Sequence, residues 1–169
     1  MLQKAKLECS SQLIQDGYSY WQSKRIDQNL PSWSDINPAE IKSLLPNIVV
    51  LHVDHDPLNF IEKITGDVIL SRSVKNTMGI SWRDYEGRGP GSKIWQVMEE
   101  VVDSKQPSFH HIPYVGLHKE FMEIETVACP ISDDGKTVCR IMCFVEYVPF
   151  SEEEAAVEYF KSPKNRFTL

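Results

Sequence analysis

The chain has 169 residues, of which 41% are apolar and 25% charged, which is enough for one globular domain of ordinary composition. Its net charge of −6, without a basic stripe, argues against nucleic-acid binding, and no run approaches the roughly 18 apolar residues of a membrane span. We expect a cytoplasmic protein, because the first residues lack the apolar core of a secretory signal and the four cysteines form no CxxC pair.

The first predicted element is a helix over residues 7–26. One helical face collects residues at alternating spacings of four and three: Leu7, Ser11, Ile14, Tyr18, Trp21 and Arg25. Gly17 lowers the helix propensity by ~1 kcal/mol relative to alanine. After a polar link, Asn37 and Pro38 have the pattern of a helix start, and Pro46 ends that short helix.

Residues 47–55 and 58–65 are predicted to form a strand pair, joined by a turn at Asp56-Pro57. Gly66 then stops the second strand. Glycine can adopt the positive φ that a sharp exit from a sheet requires, although a plain turn residue is the simpler interpretation. Short helical pieces follow over residues 67–86. The clearest helix runs from Ser92 to Lys105, and its apolar stripe consists of Ile94, Val97, Met98, Val101 and Val102.

Three more strands are predicted at residues 108–115, 121–131 and 137–148, and Asp133-Asp134-Gly135 predicts a hairpin between the last two. A capping pattern at Ser151 predicts a final helix. The last strand is apolar on both faces, because Ile141 and Cys143 alternate with Met142 and Phe144. The long helix can cover one face only, so the N-terminal helix is the candidate cover for the other.

These elements predict an α+β fold with a five-stranded antiparallel sheet, in which the short helices and one long helix lie on one face and the N-terminal helix on the other. We expect an N-terminal helical extension over residues 1–46, a sheet domain over residues 47–148, and a C-terminal helix and tail over residues 149–169.

Several segments add to the order of elements: Trp21 and Arg25, SDINPAEIKSLLPNIVVLHV, NFIEKITGDVI and the TMG of residues 77–79. Together with that order they resemble a PAS domain, and in particular the small bacterial stand-alone PAS-like proteins with a helical N-terminal extension. The resemblance covers about residues 20–147. One departure is Gly66-Asp67, where the family tends to have Gly-Thr.

The resemblance implies a sensory or protein-interaction module that is often dimeric. Haem-binding members usually supply a histidine from the long helix, and residues 92–105 contain none. Flavin-type light sensors carry a reactive cysteine among the short helices, and residues 66–90 contain none. We therefore expect no cofactor and a colourless protein.

A ligand pocket is expected where the sheet faces the long helix. Its predicted lining is Ile64, Met78, Trp82, Val97, Met98, Val101, Phe109, His111, Ile124 and Cys143. The exposed apolar face of the first helix is expected either to cover its own sheet or also to bind a second copy. The residues of that predicted dimer interface are Leu7, Ile14, Tyr18 and Trp21.

Other clusters suggest chemistry less clearly. The adjacent residues His110 and His111 point to opposite faces of a strand, which disfavours a shared metal, so we expect no metal site. Glu123 and Glu125 share one face of a strand. Two carboxylates at this spacing are typical of a solvated strand edge, although such a pair could also serve acid–base chemistry. The glycine run GRGPGSK lacks the spacing of a phosphate-binding loop and reads as a flexible link into the long helix.

Together these observations predict a non-catalytic sensory module that binds a small molecule or a partner protein, acts through dimerisation and passes its signal to a separate protein. A ligand-free interaction scaffold is the main alternative. A small isomerase-like enzyme is a third, because curved sheets with a helix-lined pocket also occur in that class.

Overall fold

The computed structural model describes residues 7–8, 10–27, 29–114 and 121–151, with only the backbone for residues 121 and 122. Three helices lie in this part of the chain: α1 (Gln12–Ser23), α2 (Asp67–Arg72) and α3 (Lys93–Ser104). The strands are β1 (Ile48–His55), β2 (Leu58–Thr65), β3 (Ser108–Pro113), β4 (Phe121–Ile131) and β5 (Arg140–Pro149). Short 3-10 turns lie at Trp33–Asp35, Pro38–Glu40, Leu45–Asn47 and Trp82–Asp84.

The five strands form one sheet in the order β2-β1-β5-β4-β3, and every neighbouring pair is antiparallel. The predicted α+β architecture is therefore confirmed. The first and last strands of the described residues, β1 and β5, pair at the centre of the sheet. Strand β5 is buried on both faces, because Cys143 and Val145 belong to one core cluster and Met142 and Phe144 to the other.

The outer face of the sheet is the one that α1 covers. Ile14, Trp21 and Phe144 are fully buried there, and the Trp21 indole Nε1 donates to the carbonyl of Pro130 at 2.8 Å. Helix α1 approaches closely because Gly17 has no side chain: a Cβ at this position would lie 2.3 Å from the ring of Phe144. The residue that weakens the isolated helix is thus the one that allows it to dock.

The inner face is covered by α2, α3 and the turn Trp82–Asp84. Phe60 on β2 makes edge-on contacts with Trp82 and Trp95, at ring-centroid distances of 5.7 and 4.9 Å. Val97 and Val101 of α3 are buried in the same cluster. The stripe predicted for the long helix is therefore correct in its centre, although it omitted Trp95.

Three elements differ from their predictions. The helix predicted over residues 7–26 is interrupted at Ser10 and begins again behind Ser11, whose hydroxyl accepts from the N–H of Ile14. The helix predicted at Asn37 is instead a pair of 3-10 turns, although Asn37 does cap the first of them. The final helix lies outside the described residues, and within the described ranges no helix is both long and apolar enough to cross a membrane.

Gly66 is needed for a reason other than the one predicted. Its φ is −69°, a value that any residue adopts. A Cβ there would lie 2.3 Å from the carbonyl oxygen of Pro46 and 2.4 Å from that of Leu45. The strand leaves the sheet on a glycine because the turn Leu45–Asn47 crosses directly over it.

Candidate functional site: a cavity on the inner face

A cavity of about 590 Å³ lies between the inner face of the sheet and the segment that runs from α2 to α3. This volume is within the range of roughly 300–1,000 Å³ that is typical of small-molecule sites. Most of the wall is apolar, and its larger aliphatic side chains are Leu51, Ile69, Ile94, Met98, Ile112 and Ile124. The helices and turns above the sheet therefore enclose space instead of filling it.

One carboxylate, that of Glu62 on β2, is buried in the cavity wall with 2% of its residue surface exposed. Its Oε2 accepts from the hydroxyls of Thr65 and Thr77, at 3.1 and 2.5 Å. Its Oε1 accepts from the Trp82 indole at 3.3 Å and from the Arg88 guanidinium. A carboxylate offers about four lone-pair sites, so these four donors account for its acceptor capacity.

Glu62 shares the buried face of β2 with Phe60, and an irregularity in the strand lies directly after it. Leu51 pairs with Glu62 while its neighbour Val50 pairs with Ile64, so β2 contains one extra residue. Such a bulge reverses the alternation beyond it. Glu62 and Thr65 are therefore both buried, whereas Ile64, which was expected in the pocket, is 40% exposed.

Arg88 links the glycine-rich loop to the sheet. Its guanidinium carbon lies 5.3 Å from the ring centroids of both Trp82 and Tyr85, and its Nη1 donates to Glu62. The positive φ values of Gly87 and Gly91, +81° and +88°, shape the loop around it. The run GRGPGSK is thus more than a link into the long helix, because its arginine lines the cavity.

Further cations line the cavity toward solvent. The Arg72 guanidinium carbon lies 4.5 Å from the ring centroid of Tyr147, and the Lys75 ammonium lies 4.5 Å from that of Tyr85. Lys93, the first residue of α3, also contributes to the lining, and Glu86 is the acidic residue among them. With Arg88 and Glu62 included, four cationic and two anionic side chains line the cavity.

The deep wall is formed by β4 and β5 and carries neutral groups. Burial raises the pKa of the Cys143 thiol and that of the Tyr147 phenol, each to about 12, so both stay protonated at neutral pH. Thr126 lies on the same wall with 3% of its surface exposed. Its Oγ1 has no hydrogen-bond partner among the described residues. An unsatisfied buried hydroxyl costs about 1–3 kcal/mol, so a molecule that bonds to it would gain affinity.

The ten predicted pocket residues separate into four groups. Trp82, Met98, Ile124 and Cys143 line the cavity. Val97 and Val101 are buried in the inner core without lining it, and Met78, like Ile64, is 40% exposed.

Phe109 and His111 lie on the outer face, so their placement in the pocket is wrong. The ring of Phe109 lies 5.3 Å from that of Tyr18 on α1. On β3 it is Ser108 and His110 that face α3, where both lie near Glu100.

The predicted dimer interface is also corrected in part. Ile14 and Trp21 are fully buried against their own sheet, so they cannot contact a second copy without leaving that core. Tyr18 and Leu7 are partly buried against the same outer cluster. The helix thus covers its own sheet, as both versions of the prediction require, and contact with a second copy stays a prediction.

The carboxylate pair Glu123 and Glu125 lies on the outer face, away from the cavity. His111 Nδ1 is 2.7 Å from Glu123 and its Nε2 is 3.8 Å from Glu125. The second oxygen of Glu125 accepts from the N–H of Ser11 at 3.1 Å, ahead of α1. Among the described residues, no three histidine, cysteine, aspartate or glutamate side chains form a metal-ligand group.

Comparison with known proteins finds one family. A family model described as a PAS domain matches residues 9–142. Among solved structures, a sensory box sensor histidine kinase from Vibrio cholerae is 13% identical with a TM-score of 0.47, over 67% of this chain and 90% of that one. A light-oxygen-voltage domain studied with a flavin analogue is 13% identical with a TM-score of 0.48, over 76% and 93% of the two chains. No curated protein matches the chain significantly.

Proposed function

This chain belongs to the PAS domain family, and we propose that it is a sensory module whose signal is a small molecule bound in the inner cavity. The observation that carries the proposal is the cavity itself, a space of about 590 Å³ with apolar walls and a few convergent polar groups. It lies between two parts of the molecule that differ in construction, a continuous sheet below and short segments above.

Binding would act on the covering segment. The segment from α2 to α3 contributes Arg72, Lys75, Tyr85 and Arg88 to the cavity, while the sheet contributes Thr126 and Cys143. A molecule that contacts both sides favours the conformations in which they are close, by as much as its affinity differs between conformations. The position of the covering segment would thereby report occupancy to a separate signalling protein.

A non-catalytic role fits the geometry better than an enzymatic one. Glu62 is the carboxylate buried in the cavity wall, and its four donors occupy the oxygens that a general base would use. The other candidate acid–base pair, Glu123 and Glu125, lies on the opposite face of the sheet. Among the described residues, neither Glu62 nor this pair supplies the free carboxylate in the cavity that the isomerase-like alternative would use.

Native mass spectrometry of protein purified without denaturation tests the proposal. We expect a species heavier than the 19.4 kDa chain, and release of a small molecule when the protein is denatured. The matched control is Ile124→Trp, which places a large ring in the cavity and is expected to lower the occupancy. If protein from every source, including its own host, shows only the mass of the chain, the result would favour the alternative of a ligand-free interaction scaffold.

Homodimerisation and a cytoplasmic location remain predictions. Light scattering at high micromolar concentration tests the first. If a dimer forms, its contact must exclude Ile14 and Trp21, so replacing Trp21 should change stability without a separate effect on association.

A further inference from the structure

We propose, building on the function proposed above, that the cavity selects an organic anion: a small amphipathic molecule whose apolar body lies against the sheet and whose acidic group lies among the cations at the mouth. The chemical class is set by the arrangement of charge, hydrogen-bonding groups and apolar wall.

The charge of the cavity is opposite to that of the chain. The whole sequence has 24 acidic and 18 basic residues, yet four basic and two acidic side chains line the cavity. One of the two acids, Glu62, is neutralised by its contact with Arg88. A concave site with apolar walls concentrates the field of the remaining cations and attracts anions.

Arg88 is placed to receive an acidic group. Its guanidinium lies over the rings of both Trp82 and Tyr85, and Glu62 accepts from one of its terminal nitrogens. A guanidinium has five N–H donors in a planar fork that matches the oxygens of a carboxylate, sulfonate or phosphate. Because Glu62 and the two rings fix its orientation in advance, little side-chain entropy is lost on binding.

The deep wall excludes a second charge but accepts one polar atom. Cys143 and Tyr147 are neutral there, and the hydroxyl of Thr126 is more than nine-tenths buried without a partner among the described residues. The remaining wall is aliphatic and aromatic. An apolar body with one hydrogen-bonding atom therefore matches this end of the cavity.

A cationic ligand is disfavoured by the same geometry. The carboxylate that could attract it, Glu62, already accepts from Thr65, Thr77, Trp82 and Arg88. The remaining acid, Glu86, is outnumbered in the lining by the cations Arg72, Lys75 and Lys93. A neutral ligand is the other alternative, and the experiment below separates it from an anion.

The test compares two probes that share one ring system. 1-Anilinonaphthalene-8-sulfonate has a sulfonate, and N-phenyl-1-naphthylamine is the same molecule without it. Isothermal titration calorimetry should give one site for the sulfonate, with a dissociation constant about tenfold lower than that of the neutral probe. The sulfonate should also raise the melting temperature, since a ligand of the native state stabilises it and a ligand of loosened states does not.

Charge variants locate the effect. Lys75→Gln and Lys93→Gln should each weaken binding of the sulfonate by about two- to fivefold, as expected for exposed cations, and leave the neutral probe unaffected. Lys63→Gln is the matched control, because Lys63 is exposed on β2 and does not line the cavity. It removes the same charge and should change neither affinity.

The outcomes distinguish this proposal from the one on which it rests. Equal or tighter binding of the neutral probe, or equal weakening by Lys63→Gln, would overturn the selectivity for anions while the cavity remains a binding site. Failure of both probes to bind, in protein shown to be free of copurified molecules, would count against the binding function itself and this proposal with it.

Discussion

The two faces of the sheet are built from the same strands, but the outer face is tightly packed and the inner face holds a cavity. On the outer face the 12-residue helix α1 packs onto β4 and β5 beside Ile41 and Leu44, and Ile14, Trp21 and Phe144 have no exposed surface. On the inner face several short segments enclose about 590 Å³. Since β5 is apolar on both sides, the difference comes from the covering elements and not from the strands.

Continuity of the cover explains this difference. Helix α1 presents one regular stripe and a glycine that admits the ring of Phe144, so it fills the outer groove. The inner cover consists of a six-residue helix, a 3-10 turn and a glycine-rich loop before α3 begins. Polar contacts through Glu62 and Arg88 hold part of it in place. A hydrophobic sheet face is thus filled where a regular helix packs on it and hollow where short segments cross it.

Truncating the outer anchor should have the largest effect. Trp21→Ala removes a fully buried indole and its hydrogen bond to Pro130, and should lower the free energy of unfolding by ~3–5 kcal/mol in urea denaturation. Trp21→Phe is the matched variant, which keeps most of the apolar area and should cost about 1–3 kcal/mol for the unpaired carbonyl. A loss below about 1 kcal/mol for the alanine variant would mean that α1 is not part of the core.

Adding one methyl group to the outer face should also be destabilising. Gly17→Ala improves helix propensity by ~1 kcal/mol, but its Cβ would overlap the Phe144 ring. Overpacking of this kind costs about 1–3 kcal/mol, so we expect a net loss of stability in thermal denaturation. Ser19→Ala on the exposed side of α1 is the control and should be neutral or slightly stabilising. If both variants were stabilising, the close contact between α1 and β5 would be absent in solution.

The same kind of change on the inner face should have the smallest effect on stability. Ile124→Trp adds a much larger volume than Gly17→Ala, but it extends into an existing cavity. We expect the free energy of unfolding to change by less than about 1 kcal/mol, while the affinity for 1-anilinonaphthalene-8-sulfonate falls. A severe loss of stability would indicate that the inner face is as tightly packed as the outer one.

The sequence predicts the sheet and the helices that cover it well, because strands and helices each follow a regular period of apolar residues. Alternation along residues 140–145 correctly indicates a strand buried on both sides, and the three-and-four spacing from Ile14 to Trp21 correctly identifies the docking face of α1. It fails for Ile64, because a bulge reverses the alternation within β2. The alternation also gives the wrong face for Phe109 and His111. Apolar residues of SFHHIP fall on both faces of the strand, so the sequence does not show which face is the inner one.

The polar part of the site was missed for a different reason. Glu62 shares the buried face of β2 with Phe60, so the alternation of the strand correctly indicates that this carboxylate is buried. Its partners Thr77 and Arg88 follow 15 and 26 residues later, from irregular segments that no period describes. An acidic residue on an apolar face indicates that a donor must exist, but the sequence does not indicate which one.

The most direct test of the contrast between the faces is an NMR titration of the isotope-labelled protein with 1-anilinonaphthalene-8-sulfonate. Amide shifts should concentrate on residues whose side chains line the cavity, such as Arg88, Met98, Thr126 and Cys143, and should be small along Ile14–Trp21. Largest shifts along α1, or shifts spread evenly over both faces, would contradict the account of one filled face and one hollow face.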